Sequence, residues 1–296
     1  MKPTRVNRRA SAEDRQDKNG LASTDRADEL RSSASAGMIY GLIPIVEALR
    51  AGRRQIEQIT VAEGSRPERL RELFDLAKQA RVPIHRVARI QFNREFGGPS
   101  HQGVVARVAA ARYADAAELI DSLVSRIDSD DPPLALGLDG IEDPRNLGAI
   151  LRTAECAGVH GVFIPERRAV GLNETVAKAA AGALEYVPVA RVTNLVRLIE
   201  QLKERKIWVV GAAVEGSSNY TEWDWTLPAA IFLGNEGAGM HRLVRENCDL
   251  LVRIPVVGHL ESLNVSVAAG VLLYEARRQR MSAKREMKAA AKDDRI

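Results

Sequence analysis

Cysteine and aromatic residues are both scarce in this sequence. It contains two cysteines, Cys156 and Cys248, and only 4% aromatic residues in 296 positions. Two cysteines cannot build a disulfide framework, and these two are too far apart to form a C-x-x-C pair. The five histidines are also scattered, without the ligand spacing of a structural zinc site. The sequence therefore predicts neither a disulfide scaffold nor a metal site.

Long apolar runs are missing as well. No segment approaches the ~18 consecutive apolar residues of a membrane span. The segment at the N-terminus carries charge throughout, where a signal peptide has an apolar core. Hydrophobic residues make up 45% of the chain and charged residues 28%, as in globular proteins. We therefore expect no membrane contact and a cytoplasmic location.

Charge is distributed unevenly, although the formal net charge is only +4. Residues 38–113 carry 13 basic and 7 acidic side chains, a net +6, and residues 277–296 carry 8 and 3, a net +5. Residues 114–276 carry 14 and 23, a net −9. A polyanion such as RNA is attracted to the first two regions and repelled by the third. Any nucleic acid is therefore expected to contact the first folded segment and the tail, unless the +6 is an ordinary solvated surface.

The pattern along the chain predicts five segments. Residues 1–37 have three large aliphatic side chains, too few for a core, and are expected to be disordered. Residues 38–112 predict a small α/β domain, residues 113–133 a linker that includes a helical pattern, residues 134–280 a larger domain and residues 281–296 a basic tail.

The larger domain alternates short apolar runs with helical patterns. This alternation is typical of a doubly wound α/β fold with a parallel sheet. Ligands of such folds bind at the carboxyl ends of the strands. The predicted strands are 134–139, 161–165, 187–190, 207–213, 229–234 and 250–255, and the predicted helices are 144–157, 174–183, 195–205 and one from about 264.

Three segments place glycine and polar residues directly after predicted strands. In the first, LDGIEDPRNLGAILRTAECAG, Asp143-Pro144 starts a helix that Gly158 ends. Asn146 and Arg152 lie six positions apart and project about 120° from each other if both are helical. From the residues alone, the more common role of an arginine in such a helix is that of a surface or ion-pair residue, and Arg152 would be one of these.

The second and third segments contain tight turns. FLGNEGAGM (Phe232–Met240) reads G-x-x-G-x-G after a strand, and it differs from the G-x-G-x-x-G of NAD-binding domains. In IPVVGHLESLNVSVAAG, a strand leads through Gly258 to Ser262 and Asn264 and then to a helix that opens with small residues. The simplest interpretation is that these two polar residues cap the helix that follows, with Ser262 as the candidate cap.

The order and spacing of the three segments resemble the SpoU (TrmH) family of RNA ribose 2'-O-methyltransferases. The resemblance covers about residues 38–280 and implies an α/β fold whose C-terminal Rossmann-like parallel sheet contains a trefoil knot (the SPOUT class). Residues 38–108 resemble the ribosomal-protein-L30e-like substrate-binding domain of the RlmB branch, which methylates guanosine in 23S rRNA. The third motif departs from the family pattern in one place, since it has Val256 where methionine is usual, a conservative change.

The same resemblance implies roles for particular residues. The family's functional polar positions match Asn146, Arg152, Glu236, Ser262 and Asn264, with Arg152 as the usual catalytic candidate. S-adenosylmethionine is expected to be held by main-chain groups at Gly234, Ile254 and Leu263, and no metal is implied.

The role of Arg152 stays open between two alternatives. A free guanidinium has a pKa above ~12 and is a poor general base. We therefore favour a clamp on the phosphate beside the target ribose over a base activated by that phosphate.

The family also implies a homodimer built on the C-terminal domain. The final helix supports this expectation, because apolar residues surround most of its circumference. The alternative functions are a tRNA methyltransferase of the same family and a non-catalytic RNA-binding ribosome-assembly factor. An NAD enzyme is disfavoured by the missing fingerprint.

Overall fold

The chain folds into two α/β units, each built on its own sheet. The structure is a computed structural model that describes residues 37–97, 101–109, 111–235 and 237–293. Of the predicted disordered extension, only Gly37 is among the described residues, and it begins the first strand.

The small unit has a mixed four-stranded sheet in the order β1-β4-β2-β3. β4 is antiparallel to β1 and β2, and β2 is parallel to β3. Two helices cover one face, and Phe92 of the third packs on the other face against Ala62 and Val105. The elements are β1 (Gly37–Tyr40), α1 (Leu42–Ala51), β2 (Ile56–Ala62), α2 (Pro67–Gln79), β3 (Ile84–Val87), α3 (Arg89–Phe96) and β4 (Val104–Val108).

The large unit has a seven-stranded sheet in the order β7-β6-β5-β10-β8-β11-β9. Every neighbouring pair is parallel, so the predicted parallel sheet is confirmed. The strands are β5 (Leu134–Asp139), β6 (Gly161–Pro165), β7 (Val189–Val192), β8 (Trp208–Ala212), β9 (Ser218–Asn219), β10 (Ala229–Gly234) and β11 (Leu250–Arg253).

Helices cover both faces of this sheet. Along β5 and β10, alternate residues enter two separate cores, as expected for strands buried on both sides. α5, α6 and α9 pack on one face, and α4, α7 and α8 pack on the other. The helices are α4 (Ala116–Val124), α5 (Pro144–Cys156), α6 (Glu174–Ala180), α7 (Leu195–Glu204), α8 (Arg242–Asn247) and α9 (Val265–Asp293).

The structure differs from the sequence predictions in several local features. The 113–133 segment contains α4, whose Leu119, Ile120 and Leu123 are buried in the large unit. The helix predicted to reach Ala183 ends at Ala180, because Ala181 and Gly182 take left-handed conformations (φ 50° and 99°). α8 and β9, at six and two residues, are too short to give a periodic signal and were not predicted.

α9 is the longest helix, and it continues to Asp293, past the predicted end of the domain. Its buried Arg280 donates hydrogen bonds to the main-chain oxygens of Trp225, Leu227 and Pro133, at 2.8–3.1 Å. Burial lowers the pKa of Arg280 to about 10, so the guanidinium stays charged at neutral pH. Among the helices that the structure describes, none has the length and apolar character needed to cross a bilayer.

Candidate active site

A crevice lies at the carboxyl ends of β8, β10 and β11, where an open parallel sheet is expected to bind its ligand. Its volume is about 450 Å³, within the range of small-molecule sites. The loops that follow the three strands supply most of its walls. Gly234, Ile254 and Leu263, the three positions expected to hold a cofactor, all line the crevice, as does Ser262.

The turn after β10 forces the backbone close to itself. The amides and carbonyls of Asn235 and Gly239 exchange hydrogen bonds of 3.0 and 2.9 Å, and Gly239 has a φ of 67°. A Cβ on Gly234 would lie 2.0 Å from the carbonyl carbon of Gly239 and the nitrogen of Met240. Only glycine therefore fits at position 234, where the turn packs directly against the end of β10.

Asp139 and His241 anchor this turn, and neither was identified as a site residue from the sequence. The buried Asp139 carboxylate accepts hydrogen bonds from the His241 main-chain nitrogen at 2.6 Å and lies 2.9 Å from His241 Nδ1. Asn235 Nδ2 donates to the main-chain oxygen of Gly140 at 2.8 Å. These contacts join the end of β5 to the loop after β10. Asp139 ends a predicted strand, but the sequence gives no sign of its partner 102 positions further along the chain.

Asn146 and Asn264 come together from two motifs 118 positions apart. Asn264 Nδ2 donates to Asn146 Oδ1 at 3.1 Å. Asn264 Oδ1 accepts from the main-chain nitrogen of Ser266 at 2.9 Å and therefore caps α9. The capping role expected for Ser262 was wrong, since Asn264 stands directly before the first turn and Ser262 lies in the loop against the crevice.

Arg152 lies elsewhere, in a cleft between the two units. It is exposed on α5 and lines this cleft with Lys178 of α6. The two helices pack closely, because a Cβ on Gly148 would lie 2.4 Å from the Cβ of Ala179. The crevice and the cleft share no lining residue. Within one chain, therefore, Arg152 projects away from Asn146 and the crevice, as the six-residue spacing predicts.

Two further expectations concern Glu236 and metal ions. Glu236 lies outside the described residues. Within the described ranges, no group of three or more His, Cys, Asp or Glu side chains is placed to hold a metal ion.

Comparison with known families finds matches over both units. The model of the SpoU rRNA Methylase family matches residues 133–274. The model described as RNA 2'-O ribose methyltransferase substrate binding matches residues 38–114.

Individual relatives match most of the chain. YacO of Bacillus subtilis (strain 168), whose name assigns it to TrmH family tRNA/rRNA methyltransferases, is 45% identical over 242 residues, which is 82% of this chain and 95% of that relative. The 23S rRNA (guanosine-2'-O-)-methyltransferase RlmB of Pseudomonas syringae pv. tomato is 45% identical over 248 residues, which is 84% of this chain and 97% of that relative.

A solved structure has a similar fold. The SpoU methyltransferase AviRb from Streptomyces viridochromogenes, in complex with the cofactor AdoMet, superposes with a TM-score of 0.68 at 26% identity. The match covers 87% of this chain and 94% of that chain.

Proposed function

This chain belongs to the SpoU (TrmH) family of RNA 2'-O-methyltransferases, and we propose that it uses S-adenosylmethionine to methylate a guanosine ribose in 23S rRNA during ribosome maturation. The observation that carries this proposal is the crevice at the carboxyl ends of β8, β10 and β11. The rRNA target is supported by the name of the RlmB relative, and it implies a cytoplasmic location, where ribosomes assemble.

The crevice fits S-adenosylmethionine in size and in chemistry. We assign the polar edges of the cofactor to main-chain groups at Gly234, Ile254 and Leu263, and this assignment is supported by the presence of all three residues in the crevice lining. The absence of a Cβ at Gly234 lets the turn at Gly239 and Met240 pack against the end of β10, which sets the shape of this wall of the crevice. When bound, the cofactor supplies an electrophilic methyl group.

The protein's own residues then have to position the ribose and to allow its 2'-hydroxyl proton to leave. Positioning supplies much of the rate of a transfer between two bound reactants. We assign to Arg152 the clamp on the phosphate beside the target ribose, since a planar guanidinium binds phosphate in a bidentate manner. Asn146, Asn264, Ser262 and Glu236 are assigned to orienting the ribose and the motif loops.

In a homodimer, Arg152 of one copy can reach the crevice of the other copy, although it lies away from the crevice of its own chain. If the crevice of one copy meets the cleft of another, Arg152 of the second copy completes the site. The exposed residues of α9 favour such contact, because Val267 and Tyr274 are 51% and 54% exposed. Leu272, by contrast, is fully buried within its own chain and is not available to a partner.

A tRNA substrate is the second candidate, favoured by the name of the YacO relative, which includes both tRNA and rRNA. The two candidates require different RNA substrates but the same chemistry.

Two measurements test the proposal. Calorimetric titration of the full chain with S-adenosylmethionine should give saturable one-to-one binding per chain. Mass spectrometry of nucleosides from a deletion strain should show one 2'-O-methylguanosine lost from 23S rRNA, with tRNA unchanged. Loss from tRNA alone would favour the second candidate, and absence of cofactor binding would overturn the proposal.

A further inference from the structure

A cavity at the boundary of the two units has an unusual lining. Its volume is about 740 Å³, and it opens between the edge of the small sheet and helices α5 and α6. The small unit contributes aromatic rings, and the large unit contributes cations and one carboxylate. These residues are Tyr40, Phe96, Arg145, Arg152, Lys178 and Glu174.

Direct contacts join the two units beside this cleft. Arg54 of the small unit donates to the buried Glu185 carboxylate of the large unit at 2.9 Å. Tyr186 donates its hydroxyl proton to Glu47 Oε2 at 2.6 Å. One bond starts from α1 and the other from Arg54, three residues after α1, and both end on the segment that follows α6. The aromatic and cationic walls are therefore fixed relative to each other.

The aromatic wall is preorganised. The Phe96 ring lies 4.9 Å, between centroids, from the ring of fully buried Phe92. Phe96 itself is half-buried and borders the cleft. Burial and, secondarily, the charge of Glu174 raise the pKa of Tyr40, so this side chain stays uncharged beside a polyanion. Two rings anchored in this way lose little conformational freedom when a ligand binds.

The cationic wall is the exception in an acidic region. Residues 114–276 carry a net −9, yet Arg145, Arg152 and Lys178 converge on one cavity from two adjacent helices. Glu174 offsets one of these three charges, which leaves the lining of this cavity net positive. All three cations are exposed and able to reach phosphate groups.

Aromatic rings facing cations are the pattern that binds unpaired nucleotides. Bases stack on aromatic side chains, and the backbone follows the positive charge. Duplex RNA is instead recognised across its minor groove through phosphates and 2'-hydroxyls, without stacking. We propose that this cleft binds a single-stranded segment of the substrate RNA, with bases against Tyr40 and Phe96 and phosphates on Arg145 and Lys178 beside Arg152. The proposal rests on the proposed function and adds the class of RNA and its contacts.

The test is fluorescence anisotropy of the full chain with a fluorescein-labelled ten-nucleotide RNA of mixed sequence, as a single strand and as a duplex. Arg145→Gln and Lys178→Gln should each weaken single-strand binding several-fold and lower the salt slope by about 0.7, the value for one phosphate contact. Tyr40→Leu should weaken binding about tenfold through lost stacking, whereas Tyr40→Phe should bind as the unmodified chain does.

Arg197→Gln is the matched control. Arg197 is exposed on α7, on the opposite face of the large sheet, and its replacement removes one charge away from the cleft. Equal binding by Arg145→Gln, Lys178→Gln and Arg197→Gln would overturn the proposal. Duplex binding as tight as single-strand binding, and unaffected by Tyr40→Leu, would overturn it as well.

The two proposals fail in different ways. If the unmodified chain binds S-adenosylmethionine and methylates RNA, while the cleft variants bind single strands normally, only the cleft assignment fails. If the unmodified chain neither binds the cofactor nor methylates RNA, the proposed function fails.

Discussion

The crevice and the cleft are built from different parts of the chain. The crevice is lined by loops after three parallel strands, and its turn at Gly234 leaves no space for a Cβ. The cleft is lined by long cationic and aromatic side chains from two units. Binding at the crevice should be impaired by substitutions that add side-chain atoms to the tight turn. Binding at the cleft should be impaired by substitutions that remove side chains. Variants at the two sites should therefore separate cofactor binding from RNA binding and catalysis.

The largest effect is expected at Arg152. Arg152→Ala should lower kcat by about 10³-fold, because the phosphate beside the target ribose is no longer clamped and the ribose loses its alignment with the methyl donor. Arg152→Lys should also be severely impaired, since an ammonium cannot reproduce the planar fork. Single-turnover methylation of substrate RNA measures both.

Cofactor titration of the same variants provides the control. Because Arg152 does not line the crevice, the affinity for S-adenosylmethionine should stay within a few fold of the unmodified value. Loss of cofactor binding in Arg152→Ala would contradict the separation of the two sites, and full activity in Arg152→Lys would show that charge alone suffices.

Gly234→Ala should produce the opposite pattern. The added Cβ would lie 2.0 Å from Gly239 and Met240, so the turn must move. Overpacking of this kind costs up to about 3 kcal/mol, which corresponds to roughly a hundredfold loss of cofactor affinity. Calorimetric titration measures it, with circular dichroism to verify the fold.

The matched control for Gly234→Ala is three residues further along the same turn. A Cβ on Gly237 would meet only Asn235 Oδ1, at 3.8 Å. Gly237→Ala should therefore keep cofactor affinity within about threefold. Equal losses in both variants would mean that the turn tolerates no alanine at all, and equal retention would refute the close approach at Gly234.

Much of the large sheet was predictable from the sequence. The bounds of β5, β6 and β10 agree with the prediction, because a strand buried on both faces gives a continuous apolar run that ends sharply at polar residues. The trefoil knot stays a prediction from the resemblance, since no local pattern encodes the path of a loop through another.

Candidate site residues could be named from the sequence where they belong to a motif. They could not be named where the site depends on contacts between distant parts of the chain. The family resemblance named Gly234 and Asn264, and the structure places Gly234 in the crevice lining and Asn264 at the start of α9. The link from Asp139 to His241 spans 102 positions, and neither residue alone carries a signal. Tyr40 and Phe96 were not identified either, because only the packing of the two units brings them opposite Arg145 and Lys178.

A smaller effect is expected from a charge on α9. If a second copy covers the exposed Val267, Val267→Asp should weaken dimerisation by more than about tenfold, because an unpaired charge in an apolar interface is costly. Activity should fall in parallel, since Arg152 of the second copy would no longer reach the crevice. Light scattering and methylation assays at matched concentrations measure the two quantities.

Ile90→Asp is the control for this change. Ile90 is 86% exposed on the small unit, so the same apolar-to-charged replacement there should leave assembly intact. A fully active 32.4 kDa monomer of the unmodified chain would refute the dimer and would require Arg152 to act outside the crevice of its own chain.

The smallest effect is expected at Asn264, which has two separable roles. Its Oδ1 caps α9, and its Nδ2 bonds Asn146 Oδ1 on α5. Asn264→Ala removes both and should lower the free energy of unfolding by about 1 kcal/mol, the usual contribution of a helix cap. Asn264→Asp keeps a capping oxygen, favoured at a helix N-terminus, but loses the donor to Asn146. Thermal unfolding should therefore distinguish alanine from aspartate, whereas methylation should fall in both. If aspartate restores activity along with stability, Asn264 acts only as a cap, and the bond between the two motifs has no part in positioning the ribose.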